Sequence, residues 1–225
     1  MIAFEDASFR YGTREILANV TFALAPGSFH FLTGPSGSGK TTLLKLCYLA
    51  LRPSAGRMLV RGRDAAEMAS DDIARLRQRI GVVHQDCTFL DHLTVRENIA
   101  LPLRVMGRRL EQHRGDLDDL IGWVGLRDRA EAYPPELSGG ERQRAALARA
   151  VIGDPDLIIA DEPTGNVDWD MAERLMRLLV ELNRLGKSIL LATHDLSLIR
   201  ATKSQASVRV LRLKDARMQL AGADL

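Results

Sequence analysis

The hydrophobic pattern changes character twice along the chain, from short extended segments to a long helical stretch and back to buried strands alternating with helices. Ala3 to Phe9 and Asn19 to Leu24 read as extended segments separated by turns at Tyr11-Gly12 and Pro26-Gly27, which predicts an antiparallel edge. Ser28 to Thr33 predicts a short strand, Thr41 to Leu51 a helix, Arg57 to Val60 a strand, Asp71 to about Gln78 a helix, and Ile80 to Val83 a buried strand. Thr94 to Ile152 is almost wholly helical in pattern, with breaks at Pro102, Gly107 and Pro134-Pro135, and reads as an inserted helical subdomain. Strands return with Leu157 to Ala160 and Ser188 to Ala192. Between them a helix from about Met171 to Leu185 places Met171, Leu175, Leu178, Leu179 and Leu182 on one apolar stripe, with Gly186 as its C-cap. Val208 to Leu220 predicts a closing hairpin, and the last few residues are expected to fray.

Alternating strands and helices imply an α/β fold with a mostly parallel sheet. The expected organisation is a single domain over 1–225, with an α/β core from 1–90 and 153–225 and a helical subdomain from 91–152. The 225 residues, 46% of them apolar, suffice to build a buried core. Thirty-one basic against 29 acidic residues leave a formal charge of +2, so there is no general electrostatic case for a nucleic-acid partner. The basic clusters Arg75 to Arg79 and Arg104 to Arg109 read as solvated helix faces. Cys47 and Cys87 lie too far apart for metal-ligand spacing and are too few for a disulfide framework, which fits a reducing compartment. The start of the chain lacks a basic, apolar leader and no apolar run reaches about 18 residues, so any membrane association is expected through a partner.

Three motifs carry chemistry. Gly34-Pro35-Ser36-Gly37-Ser38-Gly39-Lys40-Thr41, followed by Thr42, joins the predicted strand to the predicted helix. Its glycines let successive amides surround phosphates, Lys40 can reach the β and γ phosphates, and the Thr41 hydroxyl can ligate Mg²⁺. Leu157 to Ala160 ends in Asp161-Glu162, where Asp161 can hold Mg²⁺ and Glu162 can polarise a water attacking the γ phosphate. His194, just beyond the strand Ser188 to Ala192, offers that phosphate a donor. The third motif, Leu137-Ser138-Gly139-Gly140-Glu141-Arg142-Gln143, opens an alanine-rich helix and makes a second anion-binding end, which one molecule does not need around one triphosphate.

With all three motifs the chain resembles an ATP-binding cassette (ABC) ATPase, over nearly its whole length. The resemblance implies a RecA-like P-loop NTPase core, ATP and Mg²⁺ as ligands, and a head-to-tail homodimer. In that dimer Ser138, Gly139, Gly140 and Gln143 of one copy close over ATP held by the other. It further implies that Tyr11 stacks on adenine. Gln85 would touch Mg²⁺ and the attacking water and report to a membrane partner, and Asn166 and Asp168 would cross the dimer interface. His84 and Arg142 depart from the family's usual residues at their positions. A narrower resemblance, carried by Phe31 to Gly34, Leu43 to Leu46, Arg52 to Gly56, Asp91 to Val95 and Asp161 to Asp168, is to the cell-division branch. Its members pair with an integral membrane protein at the cytoplasmic face of the bacterial inner membrane and regulate cell-wall hydrolysis. Lipoprotein-release and macrolide-export ATPases share much of this vocabulary, and a division scaffold with little hydrolysis is the remaining reading. The segment Gln85 to Leu103 is the expected docking surface for the membrane partner.

Overall fold

The computed structural model describes residues 1–220. β1 (Ile2–Tyr11) and β2 (Arg14–Leu24) form a hairpin that turns at Gly12, where φ is +57°. Both strands extend further than the apolar pattern predicts because polar cross-strand pairs continue the ladder beyond it, with Arg10 bonded to Glu15 at 3.0 Å and Tyr11 opposite Arg14. β4 (Ala55–Val60) pairs with β1, and β5 (Arg63–Asp64) completes an antiparallel sheet ordered β2-β1-β4-β5.

A second sheet contains β3 (Phe29–Thr33), β6 (Ile80–Val83), β7 (Leu157–Asp161), β8 (Ser188–Ala192), β9 (Val208–Lys214) and β10 (Arg217–Leu220). Its order is β10-β9-β3-β8-β7-β6, with every pairing parallel except that of β9 with β10. β3, β7 and β8 are buried at every position, which is why they read as continuous apolar runs rather than alternating ones. Alternate residues feed two apolar clusters. Ile159 and Leu190 join Leu43 and Leu46 of α1 (Lys40–Cys47) and the inner face of the antiparallel sheet, including Phe4 and Val20. Ile158, Ile189 and Leu191 face the other helices. These observations bear out the expected α/β fold with an antiparallel edge. The expected fraying of the final residues falls outside the described residues.

Four helices depart from their predicted form. α1 stops at Cys47 because Leu49 takes a left-handed φ of +65°, so the segment does not reach Leu51. α3 (Val95–Val105) runs through Pro102 instead of breaking there. Pro102 sits near the helix end, and full burial of Ile99 and Leu103 on one face offsets the lost ladder bond. α6 (Trp169–Arg184) buries Ala172, Leu175, Met176, Leu179 and Val180, while Met171, Leu178 and Leu182 are only partly covered. α7 (Leu196–Lys203) has no counterpart in the sequence reading; it is short, and Asp195 caps it by accepting from the Ser197 and Leu198 amides. α2 (Ser70–Arg77), α4 (Arg114–Trp123) and α5 (Gly139–Val151) fall within segments predicted helical. Cys47, the last residue of α1, is wholly buried, and Cys87 is buried with its thiol against the His84 carbonyl. Burial pushes both thiols above their ordinary pKa.

β6 and α5 meet without a side chain between them. A Cβ on Gly81 would stand 2.0 Å from the Ala150 carbonyl oxygen, so a methyl group there must force sheet and helix apart. Gly81→Ala is expected to lower stability by about 1–3 kcal/mol. The check is a lower urea midpoint at unchanged m-value.

Candidate functional site

The parallel strands end on one side of the sheet, where the loops after β3, β7 and β8 converge with Gln85 on a cavity of about 760 Å³. Gly34, Pro35, Ser36, Gly37, Gly39, Lys40, Thr41 and Thr42 form its floor, and Asp161, Glu162 and His194 stand across from them. Gly39 precedes α1 with φ +103°, and a Cβ there would press within 3.0 Å of Ile16 on β2. Gly39 brings no capping side chain, and the first turn of α1 has no acidic residue, so that helix start is open to an outside anion. Lys40 Nζ lies over the loop, donating to the Gly34 carbonyl at 2.8 Å and the Pro35 carbonyl at 3.2 Å. Ser38 Oγ is buried without a protein partner, as expected for a hydroxyl lining a polar-ligand cradle.

Asp161 closes β7 and accepts a 2.6 Å hydrogen bond from Thr41 Oγ1. Burial is the main force pushing its carboxyl pKa up, with the neighbouring Glu162 charge adding to it and the Thr41 bond opposing it. A cation at these oxygens would reverse that balance, since it favours the ionised form. Among the described residues no three His, Cys, Asp or Glu side chains form a metal cage. A hydroxyl and a carboxylate beside a phosphate floor do suit a hard ion that takes most of its oxygens from phosphate and water.

Glu162 adopts a left-handed φ of +49°, a conformation that costs a non-glycine residue about 1–3 kcal/mol. Its amide donates to the Ala192 carbonyl at 2.9 Å, and its carbonyl accepts from Gly165 at 3.2 Å. This backbone turns the carboxylate toward His194, whose Nδ1 lies 2.9 Å from Oε1. His194 is itself bracketed: Thr193 donates its amide to Leu32, and the Thr193 hydroxyl accepts from the Asp195 amide. A carboxylate and an imidazole so placed can accept a proton from water and donate to an anion.

The other expected site residues lie elsewhere. Ser138 caps α5, accepting from the Glu141 amide at 3.3 Å, while Glu141 Oε2 accepts from both the Ser138 amide and hydroxyl at 2.8 Å. These bonds, the Ser138 amide foremost, hold the Glu141 carboxyl below its usual range, with Arg129 adding to the effect. Gly140 packs so tightly on the next loop that a Cβ would fall 2.9 Å from the Asn166 carbonyl oxygen. Asp168 caps α6 through the Met171 amide at 2.9 Å. Neither Ser138, Gly139 and Gly140 nor Asn166 and Asp168 line the cavity of their own chain.

Gln143 departs from its expected contact with nucleotide. It is 3% exposed, and its amide is spent within the chain: Nε2 donates to the Glu162 carbonyl at 3.1 Å and Oε1 accepts from the Asn166 amide at 2.9 Å. Tyr11 ends β1 as an exposed ring set edge-on against Phe9, with 4.9 Å between centroids, while its strand partner Arg14 reaches the cavity together with Ile16. Arg14 and Ile16 escaped the sequence reading. Their available signal was the Gly12 turn, which fixes which residues of β2 return toward the loop.

A second concavity, of about 520 Å³, opens between α2, β6, α3 and α5, where Leu101, Pro102, Val105 and Met106 give it an apolar wall. Val95 and Leu103, expected on a docking face, are instead buried in the helical packing, and Thr94 is the α3 cap. Val105 is 69% exposed. Arg149 lies in the groove with its guanidinium 4.6 Å from the Phe89 ring centroid, and burial pushes its pKa down. Arg77 and His84 also line the groove, and no acidic side chain among the described residues does.

The ABC transporter family profile matches residues 17–165. The cell division ATP-binding protein FtsE of Escherichia coli (strain K12) is 43% identical over 219 residues, covering 97% of each chain. FtsE of Bacillus subtilis (strain 168) is 37% identical over 199 residues, covering 88% of this chain and 86% of that one. Among solved structures, the ATP-binding cassette MJ0796, a dimer in a post-hydrolysis state bound to ADP and Pi, superposes with a TM-score of 0.88 at 30% identity, covering 99% of this chain and all of that one.

Proposed function

We propose, for a chain that belongs to the ABC transporter family and is an ATPase of that family, that two copies close head to tail on two ATP molecules and drive a membrane partner in cell division. The observation that carries the dimer is the position of Ser138, Gly139 and Gly140 outside the phosphate cavity of their own chain, at the start of α5. A second copy would bring them to the γ phosphate. The FtsE relatives favour division over export or lipoprotein release. The partner proposed is an FtsX-like integral membrane protein, which would hold this chain at the cytoplasmic face of the inner membrane. No helix among the described residues is long and apolar enough to cross a membrane.

In this reading the floor amides and Lys40 bind the phosphates, and Thr41 Oγ1, Asp161 and Gln85 would hold Mg²⁺. That ion, when bound, supplies Lewis-acid polarisation of the β and γ phosphoryl oxygens. Glu162 orients a water and accepts its proton, while His194 steadies Glu162 and donates toward the γ phosphate. Signature contacts made only in the closed dimer shift the open–closed equilibrium, and loss of the γ phosphate releases them.

The 520 Å³ groove is the surface proposed for the partner, with an apolar helix against Leu101 and Val105 and a carboxylate for Arg149. Val105→Glu is expected to cut co-purification with the membrane partner about tenfold or more, with ATP affinity unchanged. The check is pull-down of tagged chain from detergent-solubilised membranes, with the companion identified by mass spectrometry. Full recovery by the variant places docking elsewhere, and recovery of a non-division companion overturns the division role.

A further inference from the structure

We propose that Gln143 is a positioning residue that ties the signature end of each chain to that chain's own catalytic glutamate, so that closure over one ATP aligns the base for the other. This rests on the reading above, in which Glu162 activates water and Ser138 meets ATP held by the second copy. Gln143 lies one turn and a half into α5, five residues after the Ser138 cap. Both ends of its buried amide are fixed on the loop after β7, at the Glu162 carbonyl and the Asn166 amide. Glutamine is suited to the task because one planar group donates and accepts at once.

What it holds is the strained point of the site. A left-handed non-glycine residue persists only where its surroundings over-determine it, and the peptide groups around Glu162 have three anchors. β8 takes the amide through Ala192, and the turn takes the carbonyl through Gly165. The third, on the same carbonyl, comes from α5 through Gln143 and joins this peptide to the helix that carries Ser138. A second grip lies one turn earlier, where Gly140 abuts the Asn166 carbonyl. The adjacent Arg142 is engaged elsewhere, donating to the Pro134 carbonyl. A helix so attached cannot shift or tilt as its N-terminus engages the opposite subunit without moving the Glu162 peptide, and small displacements of a base are costly in rate.

The test uses the full chain with ATP and Mg²⁺. Gln143→Met keeps length and volume but removes donor and acceptor, and is expected to lower kcat about 10- to 100-fold while the ATP Kd changes less than twofold. Because chemistry and not closure is impaired, this variant should also accumulate ATP-dependent dimers, as a chemistry-dead enzyme does. Gln143→Glu covers the chance that Met disturbs folding: it retains an acceptor for the Asn166 amide but sets a carboxylate oxygen against the Glu162 carbonyl, so the same kcat loss is expected. A kcat within twofold of the parent for a folded variant overturns the proposal. So does a parallel loss of ATP binding, dimerisation and thermal midpoint in both variants, which would make Gln143 a structural staple only. Failure of the underlying reading looks different, because a parent protein that never dimerises with ATP shows it without any change at Gln143.

Discussion

Glu162→Gln is expected to bind ATP as the parent does and to lose turnover by about 10²–10⁴-fold, the range supplied by a positioned general base. The substitution keeps the side-chain length and leaves an oxygen to face His194 Nδ1, so the 2.9 Å contact and the left-handed turn survive while the proton acceptor is gone. Since release follows hydrolysis, ATP-bound dimers should build up. Phosphate release under single turnover measures the first effect, and size-exclusion chromatography with ATP and Mg²⁺ the second. Turnover within a few-fold of the parent would remove Glu162 from the chemistry, and a monomer throughout would remove the closed dimer.

Lys40→Ala should act one step earlier, on binding itself. Lys40 Nζ now rests on the Gly34 and Pro35 carbonyls above the phosphate floor. Its charge faces a cavity also lined by Arg14 and by the acidic Asp161 and Glu162. Taking one member from a desolvated, hydrogen-bonded charge pair costs about 2–5 kcal/mol, or roughly 30- to several-thousand-fold in ATP affinity. Calorimetric titration of ATP into both proteins reads this directly. An unchanged Kd would mean that the loop amides alone carry the triphosphate, and that Lys40 acts only later in the cycle.

The contrast between these two variants tracks what the chain discloses before it is folded. The phosphate loop, Asp161, Glu162 and His194 were legible because each follows an apolar strand, and parallel strands deliver their carboxyl ends to one edge. Ser138 to Gly140 were legible as a helix start, and the fold adds that they do not line the cavity of their own chain. Gln143 was assigned to nucleotide by the family resemblance, which does not report that its amide meets the Glu162 carbonyl and the Asn166 amide within its own chain. Arg14 and Ile16 reach the cavity through the hairpin register set at the Gly12 turn, which pairs Tyr11 with Arg14, and the apolar pattern alone does not report which residues that register returns to the loop. α3 ran through Pro102 because burial of Ile99 and Leu103 outweighed a local preference, and α7 escaped because it is too short to show a period.

The seclusion of both native thiols opens an experimental route. Cys47 is fully buried at the end of α1 and Cys87 is held under the His84 carbonyl, both with little thiolate character. Maleimide dyes should therefore ignore them at neutral pH. A single cysteine introduced at exposed Val105 or Leu185 could then carry a fluorophore in an otherwise native background, and energy transfer between two such copies would follow the opening and shutting of the pair in real time.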